Sequence, residues 1–147
     1  QLELLKKNKV AVVCGILSGT LASLTGIFVL CMLFGFNHQQ YVTMLPKSIT
    51  TAIGIGISEE LGGIVTITVA VIIITGILGN VIADTVFHIF KIKNPLAKGL
   101  ALGTASHAIG TARAIEMGPV EGAMSSLAVA VAGLLTVVFV SGFAQLI

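Results

Sequence analysis

The segment Gly99–Gly122, GLALGTASHAIGTARAIEMGPVEG, gathers groups that can hold or pass charge: His107, Arg113, Glu116, Glu121 and the hydroxyls of Thr104, Ser106 and Thr111. Arg113 is the only arginine in the chain, and a guanidinium can grip a carboxylate through two parallel hydrogen bonds. Imidazole changes charge near neutral pH, which suits His107 to proton coupling or to donation toward a substrate. On an unbroken helix Thr104, His107 and Thr111 share one face. A second stretch, Leu45–Ile64, supplies Lys47, Ser48, Thr50, Thr51, Glu59 and Glu60. The candidates for binding a small anion are Lys47, Thr50, Thr51, Thr104, Ser106, His107, Thr111 and Arg113. His107, Glu60 and Glu116 are the candidates for proton coupling, because acids inside a membrane are costly and tend to be functional. Each cation also has a plainer reading. Lys47 and Arg113 can reach back to the membrane surface, and Arg113 can pair with Glu116 three residues on. Glu59 and Glu121 read as solvated helix ends, Asp84 lies in an apolar run, and His38 and His88 belong to no constellation. No nucleophile elbow, Walker loop or Cys/His metal spacing is present. Catalysis, a cofactor and a bound metal are therefore not expected.

The elements that must position these groups follow from composition. The 147 residues are 56% hydrophobic and 10% charged, with mean hydropathy +1.09, whereas soluble domains carry about 25% charged residues. Three apolar runs, Val10–Phe36, Ile64–Phe90 and Pro119–Ile147, each exceed the roughly 20 residues that a spanning helix needs. The expected fold is all-α and membrane-embedded: about three long transmembrane helices plus two short broken or re-entrant helical segments forming an inverted repeat. Cys14 and Cys31 lie in one apolar run, separated by about 25 Å of helix, beyond disulfide reach; both are expected to be buried packing residues. Without a basic patch interleaved with aromatics, nucleic acid is not an expected partner. The opening QLELLKKNK reads as a cytoplasmic loop rather than a signal peptide. Residues 1–147 are expected to form one transmembrane domain, the C-terminal part of a longer protein.

The repeat is visible at a shift of 56 positions, which aligns AIGIGISEELG (Ala52–Gly62) with AIGTARAIEMG (Ala108–Gly118). Ala52/Ala108, Ile53/Ile109, Gly54/Gly110, Glu60/Glu116 and Gly62/Gly118 match without a gap. The units run over about 8–63 and 64–119, followed by a final helix over 119–147. The lysines favour re-entrant copies of opposite orientation. With Lys6, Lys7 and Lys9 in the cytoplasm, the first span exits at Asn37–Tyr41, and Pro46–Gly63 dips in and returns to the same side. Lys91, Lys93 and Lys98 then also face the cytoplasm, as the positive-inside rule prefers. A broken helix that crosses completely is the other arrangement. Asn94–Pro95 reads as a helix cap and start, Gly118–Pro119 as a stop and new start, and Gly54, Gly56 and Gly110 as flexible points. Irregular backbone at membrane depth is tolerated only where it lines a cavity or is buried in protein.

Two stretches, LPKSITTAIGIGISEELGGI (Leu45–Ile64) and NPLAKGLALGTASHAIGTARAIEMGPVEGAMSSLA (Asn94–Ala128), resemble the most distinctive parts of the LrgB/CidB family. Ala52 stands where many members have Pro. The resemblance covers essentially the whole chain, which corresponds to the C-terminal portion of longer members. It implies one of two activities. One is transport of small carboxylates such as pyruvate, glycolate or glycerate across the cell inner membrane. The other is holin- or antiholin-like control of murein hydrolases and autolysis. It further implies an LrgA/CidA-type membrane partner, while the lipid bilayer, a small carboxylate and further copies of the chain complete the expected partners. Clustering of the polar groups in two short segments favours transport, since an oligomeric pore would spread them along one helix face.

Overall fold

Long apolar runs become long helices here, and the small, polar stretches between them become short ones. The computed structural model describes residues 1–147, apart from the side chain of Leu2. Seven helices follow in order: α1 (Leu2–Lys7), α2 (Lys9–Phe34), α3 (His38–Met44), α4 (Thr51–Glu60), α5 (Val65–Ile89), α6 (Pro95–Met117) and α7 (Pro119–Ala144). Among the described residues there is no strand. Helices α2, α5 and α7 have 26, 25 and 26 residues, and 18-residue stretches within them reach mean hydropathies of 2.1, 2.4 and 2.4. At about 1.5 Å per residue each is long enough to cross a membrane.

Local chemistry sets the ends. Gly35 closes α2 in the left-handed region (φ 64°), where the absence of a Cβ removes the steric cost. Asn37 then caps α3 reciprocally: its Oδ1 accepts from Gln40 N–H at 2.9 Å, and Gln40 Oε1 accepts from Asn37 N–H at 3.0 Å. Such a capping box satisfies two otherwise free donors. The first span ends just before Asn37–Tyr41, and the capping box starts a new helix there. Asn94 caps α6 through Leu96 and Ala97 N–H, ahead of Pro95. Gly118–Pro119 separates α6 from α7 as expected.

The two short-helix regions fold back on themselves. In the first, Thr43 of α3 meets the far end of α4: Thr43 Oγ1 accepts from Ile64 N–H at 2.8 Å. Thr68 Oγ1 donates to the Thr43 carbonyl at 2.9 Å and pairs with Ser58 Oγ at 2.8 Å. The chain therefore descends through α3, turns at Pro46–Thr50, and returns through α4. In the second, α6 breaks at His107 (φ 43°, ψ −138°) into arms over 95–106 and 108–117. A Cβ placed on Gly110 would lie 2.8 Å from the Leu102 carbonyl oxygen. Eight residues of straight helix would hold those positions roughly 12 Å apart, so the arms form a hairpin. The flexible points differ from expectation. Gly54 and Gly56 lie inside α4, and the breaks fall at Pro46–Thr50 and at His107, where proline and a left-handed residue interrupt the helical bonding.

Neighbours give the hairpins opposite directions. Along α2, Gly15 packs on Leu100 and Gly19 on Thr104, so the first arm of α6 runs parallel to α2. Further along α2, Ser23 Oγ donates to Ser48 Oγ at 3.0 Å, at the turn of the first hairpin. Helix α5 then runs back: Gly54 packs on Ile72, Ser106 on Gly79, and Asn80 Nδ2 donates to the Ile109 carbonyl at 3.1 Å. Both turns thus reach the middle of the bundle, entering from opposite ends. Leu5 and Leu96 pack on one apolar cluster with Val12 and Leu100. Lys6, Lys7 and Lys9 consequently share an end with Lys91, Lys93 and Lys98. Lys47 is the one lysine placed at mid-depth.

Packing between helices relies on small residues, since lipid offers no hydrophobic drive for helix association. A Cβ on Gly103 would collide with the Ser125 carbonyl oxygen of α7, and one on Gly99 with that of Glu121. Cys31 is buried as expected, but Cys14 is exposed on the outer face of α2. That correction follows from helical phase: the residues of α2 that turn inward are Val12, Ile16, Thr20, Leu24, Ile27 and Cys31, a set that omits Cys14.

Candidate functional site

The first turn, α2 and the first arm of α6 line an open groove of ≈ 850 Å³, within the size range of small-molecule sites. Its walls include Gly15, Gly19 and Ser23 of α2, Lys47 and Ser48 of the first turn, and Thr104 of the second hairpin. It extends along the first arm of α6 to Asn94 at the lysine-rich end. Lys47 Nζ donates to Ser48 Oγ at 2.7 Å, and Ser48 Oγ in turn accepts from Ser23 at 3.0 Å. Lys47 makes no ion pair among the described residues. An ammonium carries three donors, so the bond to Ser48 leaves two for a ligand. Thr104 stands across the groove, its hydroxyl bonded to the Leu100 carbonyl at 2.8 Å. Thr50 and Thr51 lie at the start of α4, beside the turn but outside the groove lining.

The second turn is built on α5. His107 is 3% exposed, and its Nε2 lies 2.9 Å from the Ile72 carbonyl oxygen. A carbonyl only accepts, so Nε2 carries the proton and Nδ1 is the remaining acceptor. Glycines permit this approach. A Cβ on Gly76 would sit 2.7 Å from His107 Cε1, and one on Gly79 would collide with the Ser106 side chain. A left-handed histidine costs on the order of 1 kcal/mol, offset here by bonds made only in this conformation. Thr111 Oγ1 donates to the His107 carbonyl at 3.0 Å and pairs with Ser125 Oγ of α7 at 2.8 Å. The break therefore ends the shared face expected for Thr104, His107 and Thr111: Thr104 faces α2, whereas Thr111 faces α7.

Arg113 is not free to grip a ligand at the groove. It lies near the opposite end of the second arm, where its Nη2 donates to Asp84 and its Nη1 to Glu116 at 2.7 Å. Its guanidinium is thereby occupied by two carboxylates of the chain itself, one of them the Glu116 of its plainer reading. Glu60 is exposed at the end of the bundle opposite the lysines, and Glu116 is exposed on Arg113. Neither acid is near the turns. Ser23, Gly76, Gly79 and Asn80 escaped the sequence reading. The amide in GILGN, a strongly polar side chain midway along an apolar span, is the signal that could have found Asn80.

A bundle of three crossing-length helices, with two opposed hairpins turning at mid-depth, defines a multi-pass α-helical membrane protein. The chain belongs to the LrgB-like family, whose pattern it matches over residues 1–146. It is 40% identical over 147 residues to the antiholin-like protein LrgB of Bacillus subtilis (strain 168), covering 100% of this chain and 64% of that protein. It is 41% identical over 143 residues to the protein of the same name from Bacillus cereus (strain B4264), covering 97% of this chain and 62% of the relative. The chain thus spans less than two thirds of the length of these relatives. No solved structure matches it.

Proposed function

We propose that this chain forms the substrate-handling part of a carrier for small organic anions, with the site at the first turn. The observation that carries this reading is Lys47, an ammonium without a carboxylate partner, at mid-depth in a groove lined by hydroxyls. The start of α4 beside it adds the partial positive charge of a helix N-terminus. Pyruvate, glycolate and glycerate are the ligands of matching size and charge. Carriers commonly place such sites where broken helices from inverted repeats meet. A shift of 56 residues supports that relationship here, because it carries α2 onto α5, α4 onto 107–116 and α5 onto the span of α7. This is a binding and translocating role rather than an enzymatic one.

The membrane is the cytoplasmic one in this reading, with the lysine-rich end inside. In a variant lacking Cys14 and Cys31, single cysteines at Asn94 and Gln39 should label from opposite faces; labelling of both from outside overturns this topology. His107 is the proposed proton-relay residue, using Nδ1. His107→Gln should bind carboxylate yet lose accumulation driven by a pH gradient, and unchanged accumulation removes the relay.

A second reading draws on the printed names of the relatives, which describe them as antiholin-like. In it the chain modulates murein hydrolase activity and autolysis, alone or with an LrgA/CidA-type membrane protein. Uptake of labelled pyruvate, glycolate and glycerate into proteoliposomes of the full-length protein separates the two. Accumulation above empty vesicles supports the carrier. Absence of uptake for all three, with altered autolysis on deletion, supports the second reading.

A further inference from the structure

At the lysine-rich end, the loop joining α5 to α6 forms a separate pocket of ≈ 560 Å³, lined by Asp84, Phe87, His88, Lys91, Ile92, Lys93 and Lys98. Its charge is unbalanced. Three ammonium groups line it, and none forms an ion pair among the described residues. The pocket's single acid, Asp84, is already taken by Arg113. Lys98 Nζ lies 5.7 Å from the centre of the Phe87 ring, a cation–π distance that holds the ammonium over the pocket's apolar wall. Lys91 occupies the left-handed position (φ 54°) that closes α5. There the Ile92 N–H reaches the Phe87 carbonyl at 2.8 Å and the Lys91 N–H reaches that of His88 at 3.2 Å. Glycine is the usual residue at that helix end, so the Lys91 side chain stands at a position that ordinarily carries none.

The depth of the pocket identifies the source of the missing anion. Ile89 and Phe90, immediately before Lys91, are 64% and 71% exposed. Apolar side chains so exposed at the end of a crossing helix lie in acyl chains, which puts the adjacent lysines at headgroup level. We propose that this pocket binds the headgroup phosphate of an anionic phospholipid. The ligand chemistry is a phosphate oxygen cluster met by Lys91, Lys93 and Lys98, with the acyl chains running along the exposed face of α5. This site is independent of the carrier reading, since it shares neither Lys47 nor the groove.

The test uses the full-length protein in bilayers containing phosphatidylglycerol and phosphatidylcholine, with retained lipid counted by native mass spectrometry after extraction. The protein should retain phosphatidylglycerol preferentially. Combined Lys91→Gln, Lys93→Gln and Lys98→Gln substitutions should lower that retention roughly tenfold or more. Combined Lys6→Gln, Lys7→Gln and Lys9→Gln substitutions remove the same charge from the same end and should leave retention unchanged. Lys93→Gln alone gives the same comparison, with a smaller fall, should the pocket triple variant misfold. Equal losses in both triple variants would show general surface attraction, and no loss in either would show no site; both overturn the proposal. Inorganic phosphate is the other source of this chemistry. Thermal stabilisation in detergent by inorganic phosphate equal to that by short-chain phosphatidylglycerol would overturn the assignment to lipid.

Discussion

Carboxylate uptake should fall about 100-fold when Lys47 is replaced by Met, with the protein still folded and inserted. Methionine keeps the length and apolar stem of the side chain, so the change isolates the ammonium. A carboxylate entering the groove leaves water behind, and only a matching charge compensates for that loss. The bond from Ser23 to Ser48 orients the hydroxyl that accepts from Lys47 Nζ. Ser48→Ala should therefore lower uptake by less, about threefold to tenfold, by loosening the ammonium rather than removing it. Arg113→Gln serves as the contrast, because its partners are Asp84 and Glu116 at the bundle end; uptake should stay within about twofold. Initial rates in proteoliposomes check all three. Full activity in Lys47→Met would remove the amine from the site, and a large loss in Arg113→Gln would restore the guanidinium to it.

Gly103→Ala should destabilise the bundle by about 3 kcal/mol. The obstacle is the backbone carbonyl of Ser125, joined by Ala128 Cβ at 2.7 Å and Ser125 Cα at 3.0 Å. None of these atoms can swing away, so α6 and α7 must separate, opening the contact that holds the second hairpin. Gly56→Ala gives the opposite result. A Cβ there meets nothing within 4 Å, and alanine is the better residue inside a helix. Thermal unfolding in detergent, read by loss of monodisperse protein, compares the two. Equal unfolding temperatures for Gly103→Ala and the unsubstituted protein would mean that α7 yields where the packing says it cannot.

The three long helices are legible because burial in lipid selects on composition alone, and composition is local. The ends expected at Val10, Ile64 and Pro119 lie within a residue of α2, α5 and α7. That Pro46–Gly63 holds a short helical segment is legible for the same reason, but its turn falls at Pro46–Thr50 and not at the glycines of α4. The break at His107 is not legible. Glycines make a chain permissive without saying where it turns, and the turn is decided by bonds to Ile72 and Ser125 on other helices. Arg113 illustrates the same limit. Glu116 is three residues away and visible as a partner, but Asp84 comes from another helix 29 positions earlier. The glycines of α5 that admit His107 and Ser106 carry no periodic signal at all.

The first hairpin has a consequence for how the protein is made. Its core of Tyr41, Val42, Leu45 and Ile49 packs against Val140 and Ala144, and Tyr41 Oη donates to the Phe143 carbonyl at 2.8 Å. These partners are synthesised about 100 residues later, so the hairpin is born long before the surface that completes it. Contacts so distant in sequence form late. Until then the apolar side chains of the hairpin and the Tyr41 hydroxyl lack their α7 partners, so this part of the fold closes only once α7 is in place. Biogenesis therefore runs out of sequence order, with an early segment docking last. A single cysteine at Val42, in a variant lacking Cys14 and Cys31, should be shielded from a membrane-impermeant maleimide in the chain through Ile147. Truncation before Val140 should expose it, and equal shielding in both would mean that α2 and α5 complete the hairpin on their own.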